Sequence, residues 1–235
     1  YFSSGVIIFL VKKYNFRIKL RNVFLLFIAL GIAIFVISRI QLDRNQGSYS
    51  LPLGINKIII SSNLGKLPKV IVDSTVYLHA YITQGYYGMS LVINQPWSPT
   101  YGIGSSLYVL QNVTEIFGYN VITKTFMHLA ETFGWRSLAN WHTAYTWLAN
   151  DFHWVGTLLL MFFVGYLFGR VYISAISENK ISSVVLFALL IMFFIFIPAN
   201  NKVLAAPQTF FSFVVYLIIF IISDKIEIKR RSIYV

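Results

Sequence analysis

The chain has 235 residues, of which 57% are hydrophobic, 17% aromatic and only 11% charged, and its mean hydropathy is +0.69. A soluble domain usually carries about a quarter charged residues, so this composition argues against a soluble globular protein, and the many apolar residues exclude a disordered one. The net charge is +11, and the absence of cysteine excludes disulfides, thiol nucleophiles and cysteine-ligated metals.

The first predicted elements are apolar segments that flank a basic one. Residues 1–11 resemble the second half of a membrane span. Because the chain opens on Tyr1 and no charged segment precedes an apolar core, we expect a truncated start with further spans upstream, not a signal peptide. Residues 22–38 predict one complete span. Between them, residues 12–21 carry five basic residues and no acid, which is typical of a cytoplasmic loop.

A long region that begins and ends outside the membrane is predicted next, over residues 39–153. Within it, residues 70–93 are apolar but interrupted by polar and glycine residues, which a simple lipid-facing span would not carry without partners. We interpret them as an interfacial or partly inserted helix, the alternative being a paired crossing with residues 107–118. Residues 94–106 are rich in Pro, Gly and Ser and predict a loop.

Three further spans and a basic cytoplasmic tail, residues 224–235, complete the predicted topology. The expected fold is all-α: a polytopic transmembrane helical bundle with a helical, membrane-proximal periplasmic region. Its three parts are residues 1–38, 39–153 and 154–235. The spans of the last part are predicted at residues 154–173, 182–199 and 209–223.

Residues 131–153 hold the densest group of polar and tryptophan side chains. If residues 137–150 are helical, His142 and Thr146 share one face. A zinc motif of the HExxH type is absent, and Ser137 lacks the G-x-S-x-G elbow of serine hydrolases. We therefore predict no metal and no cofactor.

Basic side chains are unusually frequent in the segments predicted to lie outside. A cationic outer face suits an anionic ligand such as a lipid pyrophosphate, which Arg binds in bidentate fashion. Nucleic acid is not an expected partner, because the charge is divided among loops that flank apolar spans. The outer basic residues are Arg39, Arg44, Lys57, Lys66, Lys69, Lys124, Arg136 and Lys202.

Three stretches resemble the oligosaccharide repeat unit polymerases, the O-antigen polymerase (Wzy) class. One is Tyr81–Leu91, YITQGYYGMSL, followed by the Pro/Gly-rich loop. Another is Trp141-x-Thr143 leading to Asn150-Asp151-Phe152, similar to the T-x-y…D-F-G…G pattern of that family. The third is Gly165–Gly169, GYLFG, before a short turn and two closing spans. His153 departs from the pattern, which has Gly at that position.

The resemblance implies a GT-C-like glycosyltransferase in the bacterial inner membrane. Such an enzyme joins oligosaccharide repeat units carried on undecaprenyl pyrophosphate at the periplasmic face, building O-antigen, capsule or exopolysaccharide. Its expected partners are this lipid-linked oligosaccharide, membrane lipid and a chain-length regulator protein.

Under this hypothesis three residues are assigned to catalysis. Arg136 stabilises the leaving pyrophosphate, and His142, with Asp151 as second choice, takes the proton of the acceptor hydroxyl. The remaining candidates bind substrate through cations, aromatic rings or a hydroxyl. They are Arg44, Lys69, Tyr86, Tyr87, Trp135, Trp141, Thr143 and Lys202.

Two alternatives stay open at the level of sequence. An O-antigen ligase-like enzyme would use the same donor but transfer it to a lipid A core. A non-enzymatic polysaccharide or lipid transporter would carry polar residues inside its spans and often internal repeats. The predicted spans contain almost no charge except Arg170, which favours chemistry at the outer surface over transport.

Overall fold

The computed structural model describes residues 24–25, 28–29, 31–32, 35–36, 66, 69–137, 140–178 and 180–233, with the backbone alone over most of 69–82 and over 225–233. The regular structure of these residues is helical and contains no strand. The predicted all-α class is therefore confirmed for the part of the chain that the structure describes. The prediction for residues 1–11 and the basic loop at 12–21 lie outside it.

Seven α-helices and one 3₁₀ turn are defined in the described region. The predicted spans at 154–173, 182–199 and 209–223 correspond to its three long C-terminal helices. Residues 94–106 form a loop, as predicted. The elements are α1 (Lys69–Val92), α2 (Leu107–Phe117), the 3₁₀ turn (Ile122–Lys124), α3 (Phe126–Glu131), α4 (Ala144–Ser177), α5 (Ile181–Phe196), α6 (Lys202–Ala205) and α7 (Pro207–Ile233).

Contacts divide the chain into two units. One comprises Arg17–Gly85, whose described residues are helical apart from Lys66, a single 3₁₀ position. The other comprises Tyr1–Phe16 and Tyr86–Val235. Every contact described below belongs to this second unit. His79, which is substituted in one experiment below, belongs to the first.

Among the described residues, two helices are long and apolar enough to cross a bilayer: α4 and the Pro207–Asp224 part of α7. Only 17% of the most apolar window of α4 and 6% of that of α7 is buried in the protein. A core helix of a soluble protein would be mostly covered, so the exposed apolar faces favour a lipid environment. Helix α5 is also apolar but has only 16 residues.

The three C-terminal helices share one apolar core. Val171 of α4, Leu186 and Leu190 of α5, and Phe220 of α7 are buried together. Fully burying side chains of this size contributes about 1.5–3 kcal/mol each. The opposite face of α4 carries exposed Leu158 and Phe162 instead. Helices α4 and α7 therefore each have one side that packs on neighbouring helices and one that is exposed.

Helix α4 is kinked at His153, whose φ of 57° and ψ of 170° are not helical. The segment before the kink is almost wholly buried, and the segment after it carries the exposed apolar face. This backbone region is nearly restricted to glycine and costs about 1–3 kcal/mol for other residues. His153 therefore has a backbone conformation that is typical of glycine. It stands where the D-F-G pattern described above has Gly.

The variant His153→Gly is expected to stabilise the protein by about 1 kcal/mol, because relief of strain exceeds the loss of the ring contact with Trp97, whose centroid lies 5.4 Å away. The measurement is the thermal unfolding midpoint of the protein purified in detergent. His79→Gly is the matched control, because His79 lies inside α1 and Gly costs about 1 kcal/mol in a regular helix. If both variants lower the thermal midpoint, the proposed backbone strain at His153 is wrong.

Candidate functional site

The loop at residues 100–105 is wrapped around the carboxylate of Asp151 in α4. Oδ1 accepts hydrogen bonds from the backbone N–H of Gly102 at 2.8 Å and of Gly104 at 3.3 Å, and from the hydroxyl of Thr100. Oδ2 accepts from the N–H of Ser105 at 2.7 Å. Donors to an ionised acceptor form the stronger class of hydrogen bond. The carboxylate therefore fixes the shape of the loop.

Asn150, the neighbour of Asp151, joins the same loop to α3. Its amide nitrogen donates to the carbonyl oxygens of Gly104 at 3.0 Å and Trp147 at 3.1 Å. Its side-chain oxygen accepts from the N–H of Phe126 at 2.8 Å, one of the N–H groups at the start of α3 that have no partner within their own helix. Its backbone oxygen accepts from Trp97 Nε1 at 2.9 Å. Asn150 and Asp151 thus hold three segments together.

An aromatic cluster forms before the start of α4, in which Trp135 and His142 are buried and Tyr87 is exposed. The Trp135 ring lies 5.4 Å from that of Tyr87 and 6.4 Å from that of His142, measured between centroids. His142 is only 3% exposed. Among the described residues, neither nitrogen of its ring nor Trp135 Nε1 has a hydrogen-bond partner. Gly88 packs against Trp135, where an added Cβ would lie 2.8 Å from Nε1.

Thr143 caps α4 directly beside this cluster. Its hydroxyl oxygen accepts from the backbone N–H of Thr146 at 3.2 Å, the usual contact of an N-terminal cap. The helix begins at Ala144, so residues 141–143 are not part of a helix over 137–150. His142 therefore owes its position to the non-helical segment before the cap.

A cation lies over an aromatic ring close to the aromatic cluster. The ammonium of Lys202 is 5.5 Å from the centre of the Trp141 ring, within the range of a cation–π interaction. The Ala144 N–H donates to the Ile197 carbonyl at 2.8 Å, which places the beginning of α4 beside the end of α5. Trp141 directly precedes His142, so one short segment before α4 contributes both to the Lys202–Trp141 pair and to the aromatic cluster.

The predicted site residues thus fall into three groups. Tyr87, Trp135, His142 and Thr143 lie together, and Trp141 adjoins them with Lys202. Asp151 lies farther along α4, where the loop holds it. Tyr86 and Arg136 are exposed, whereas Arg44 and the side chain of Lys69 lie outside the described residues.

A cleft of about 390 Å³ lies between α4, α5 and α7, a volume in the usual range of ligand pockets. Its walls are apolar and include Phe163, Leu190 and Phe213. Polar groups lie at one end, where Ser105, Asp151 and Asn201 line it. The sequence predicts a loop over 94–106, but not that Ser105 and Asn201 line one cleft with Asp151.

Burial lowers the pKa of His142 to about 4, because an imidazolium loses its hydration in the protein interior. The ring is therefore neutral at pH 7. Between the unfolded pKa of about 6.5 and the folded value, the unfolded chain binds the extra proton, so the free energy of unfolding falls as the pH is lowered through this window.

We therefore expect acidification from pH 7 to pH 4 to cost about 3 kcal/mol through His142 alone. The variant His142→Phe keeps the packing and removes the titrating group. The difference between the thermal midpoints of wild type and variant should accordingly widen in favour of the variant as the pH falls. If the thermal midpoints of the two proteins change with pH in parallel, the assignment of a lowered pKa to the buried His142 ring is wrong.

Among the described residues, no three His, Asp or Glu side chains are grouped so that they could hold a metal ion. Comparisons of the chain with protein-family models, with curated proteins and with solved structures give no match.

Proposed function

We propose that the chain is a multi-pass glycosyltransferase of the bacterial inner membrane. It polymerises undecaprenyl-pyrophosphate-linked oligosaccharide repeat units at the periplasmic face. The observation that carries the proposal is the pairing of Lys202 with Trp141, which directly precedes His142 of the aromatic cluster in the chain. This combination suits a sugar diphosphate, because aromatic rings pack on sugars and a cation binds phosphate.

The two long apolar helices support a membrane site for this chemistry. The Lys202–Trp141 pair lies where α4 and α7 begin, and both helices expose apolar faces beyond that point. A lipid carrier lying against such a face would present its diphosphate at this end of the helices. The predicted orientation, with the start of α4 outside, places that end on the periplasmic side.

The proposed reaction is a displacement at the anomeric carbon of the growing chain. The acceptor hydroxyl of the new repeat unit forms the glycosidic bond, and the bond between that carbon and the pyrophosphate oxygen breaks. The electron pair leaves with the lipid pyrophosphate, whose charge Lys202 and Arg136 stabilise. The hydroxyl proton passes to the neutral ring of His142. Because that ring is covered, the acceptor sugar must displace Trp135 to reach it.

The test expresses the full-length protein in a strain that lacks its own polymerase but keeps its ligase. Wild type should restore long polysaccharide, and Lys202→Met should reduce it at least tenfold at equal protein level. Lys202→Arg, which keeps the cation, should retain most of it. Lys124→Met is the matched control, because Lys124 also lies over a ring, that of Tyr119 at 5.3 Å, but on an exposed turn.

Two outcomes would count against the proposal. If wild type restores no polymer, the polymerase function is rejected. If Lys202→Met makes normal polymer, the function stands and the assignment of Lys202 is wrong. In a strain that lacks only its ligase, restored attachment of existing polymer would identify a ligase instead.

A further inference from the structure

The polar end of the cleft contains buried groups that no protein group satisfies. Ser105 is 6% exposed and Asn201 is 2% exposed. Among the described residues, Ser105 Oγ and Asn201 Oδ1 have no hydrogen-bond partner. Leaving a buried polar atom unpaired costs about 1–3 kcal/mol, and both residues line the cleft. A ligand that enters the polar end of the cleft therefore lies next to both residues.

The donors at this end are already engaged within the protein. The N–H groups of Gly102, Gly104 and Ser105 all donate to Asp151. The amide nitrogen of Asn201 donates to the Ser105 carbonyl at 3.0 Å, and its backbone N–H donates to Asn200 Oδ1 at 2.7 Å. The Ser105 hydroxyl and the second N–H of the Asn201 amide are the side-chain donors left among the described residues that line this end.

Acceptors, in contrast, remain available to a ligand. Asn201 Oδ1 accepts nothing, and Asp151 Oδ2 accepts one bond, from Ser105. The described residues that line the cleft include no Lys or Arg. An anionic head group such as a phosphate would meet a carboxylate and an amide oxygen without a cation. This electrostatic mismatch excludes it, and a head group that donates hydrogen bonds fits instead.

The rest of the cleft suits a hydrocarbon chain. The stretch of α4 that lines it, from Phe152 to Leu167, is roughly 20 Å long at the rise of an α-helix. Facing it are Leu190 of α5 and Leu217 of α7, both apolar. The cleft thus has the length and lining for one extended chain, with its polar end at the loop.

From this arrangement we propose that the cleft binds a lipid alcohol, a single hydrocarbon chain that ends in an uncharged hydroxyl. The hydroxyl donates to Asn201 Oδ1 or Asp151 Oδ2 and accepts from the Ser105 hydroxyl. This site is separate from the Lys202–Trp141 pair, and it does not depend on the polymerase function. It makes the outer loop sensitive to an uncharged lipid.

The test uses the purified full chain in phosphatidylcholine nanodiscs and a photoreactive alkyl chain with a mid-chain diazirine. The probe is prepared as the alcohol and as its phosphate monoester, and the labelled side chains are located by mass spectrometry. The alcohol should label Phe163 or Phe213 at least tenfold more than the phosphate does. Equal or stronger labelling of these residues by the phosphate would overturn the proposal.

Two pairs of variants separate binding from folding. Ser105→Ala removes a hydroxyl without a partner and should lower alcohol labelling about fivefold. Ser177→Ala should not change it, because Ser177 is exposed, donates within its own helix to the Ile173 carbonyl at 2.8 Å and does not line the cleft. Val164→Trp fills the cleft and should abolish labelling of Phe213, whereas Leu158→Trp on the exposed face should not. Unchanged labelling in Ser105→Ala and Val164→Trp would overturn the site.

Discussion

Replacing Asp151 with Asn is expected to leave little folded protein. The carboxylate accepts three backbone N–H bonds and one hydroxyl bond from residues 100–105. Hydrogen bonds to a charged group contribute about 1.5–3 kcal/mol each, and the amide presents an NH₂ group to donors. The expected loss is about 4 kcal/mol or more, a large part of the typical stability of 5–15 kcal/mol. The measurement is the yield of monodisperse protein and its thermal midpoint in detergent.

Glu131→Gln is the matched control for this prediction. Glu131 is exposed and its carboxylate contacts His128 at 3.3 Å, a surface contact that contributes about 1 kcal/mol or less. The two variants lose the same charge but very different numbers of bonds. If Asp151→Asn folds as well as wild type and loses only polymer, Asp151 acts as a base and does not anchor the loop.

Gly104→Ala is expected to disrupt the same loop by steric overlap. An added Cβ would collide with Thr100 Oγ1 and lie 2.6 Å from Asn150 Cβ. Both neighbours are nearly fully buried. Thr100 bonds to Asp151, and Asn150 bonds to Gly104 and Phe126, so neither can move without breaking a hydrogen bond. We expect a loss of about 3 kcal/mol, at the upper end for overpacking, measured as the shift of the thermal midpoint.

Gly165→Ala provides the comparison on α4. An added Cβ there meets nothing within 4 Å, and Ala is favoured over Gly inside a helix by about 1 kcal/mol. The two substitutions add the same methyl group and should change stability in opposite directions. If the thermal midpoint of Gly104→Ala equals that of wild type, the loop packs less closely against Asn150 than the structure shows.

The long C-terminal helices were predictable because their apolar residues form nearly continuous runs. The first part of α4 was not, since Ala144–Asn150 contains polar residues that lower its hydropathy. Those residues are helical because Thr143 caps the helix and Asn150 is satisfied by residues far away in the chain. Hydropathy detects burial in lipid, whereas this segment is buried in protein.

The candidate site could be predicted in part. The segment 131–153 was selected for its polar and tryptophan residues, and the structure brings Trp135, His142 and Thr143 together. Asp151 is also a predicted site residue. Its hydrogen bonds to Thr100 and Ser105, which precede it in the chain by 51 and 46 positions, depend on tertiary packing. The catalytic and binding roles given to these residues stay predictions.

The contacts of the loop also impose an order on biosynthesis. Ser106 donates to the carbonyl of Leu204, and Asn201 donates to that of Ser105. These partners lie 98 and 96 residues apart, with α4 and α5 between them. A ribosome must therefore synthesise both intervening helices before the loop can form these two bonds.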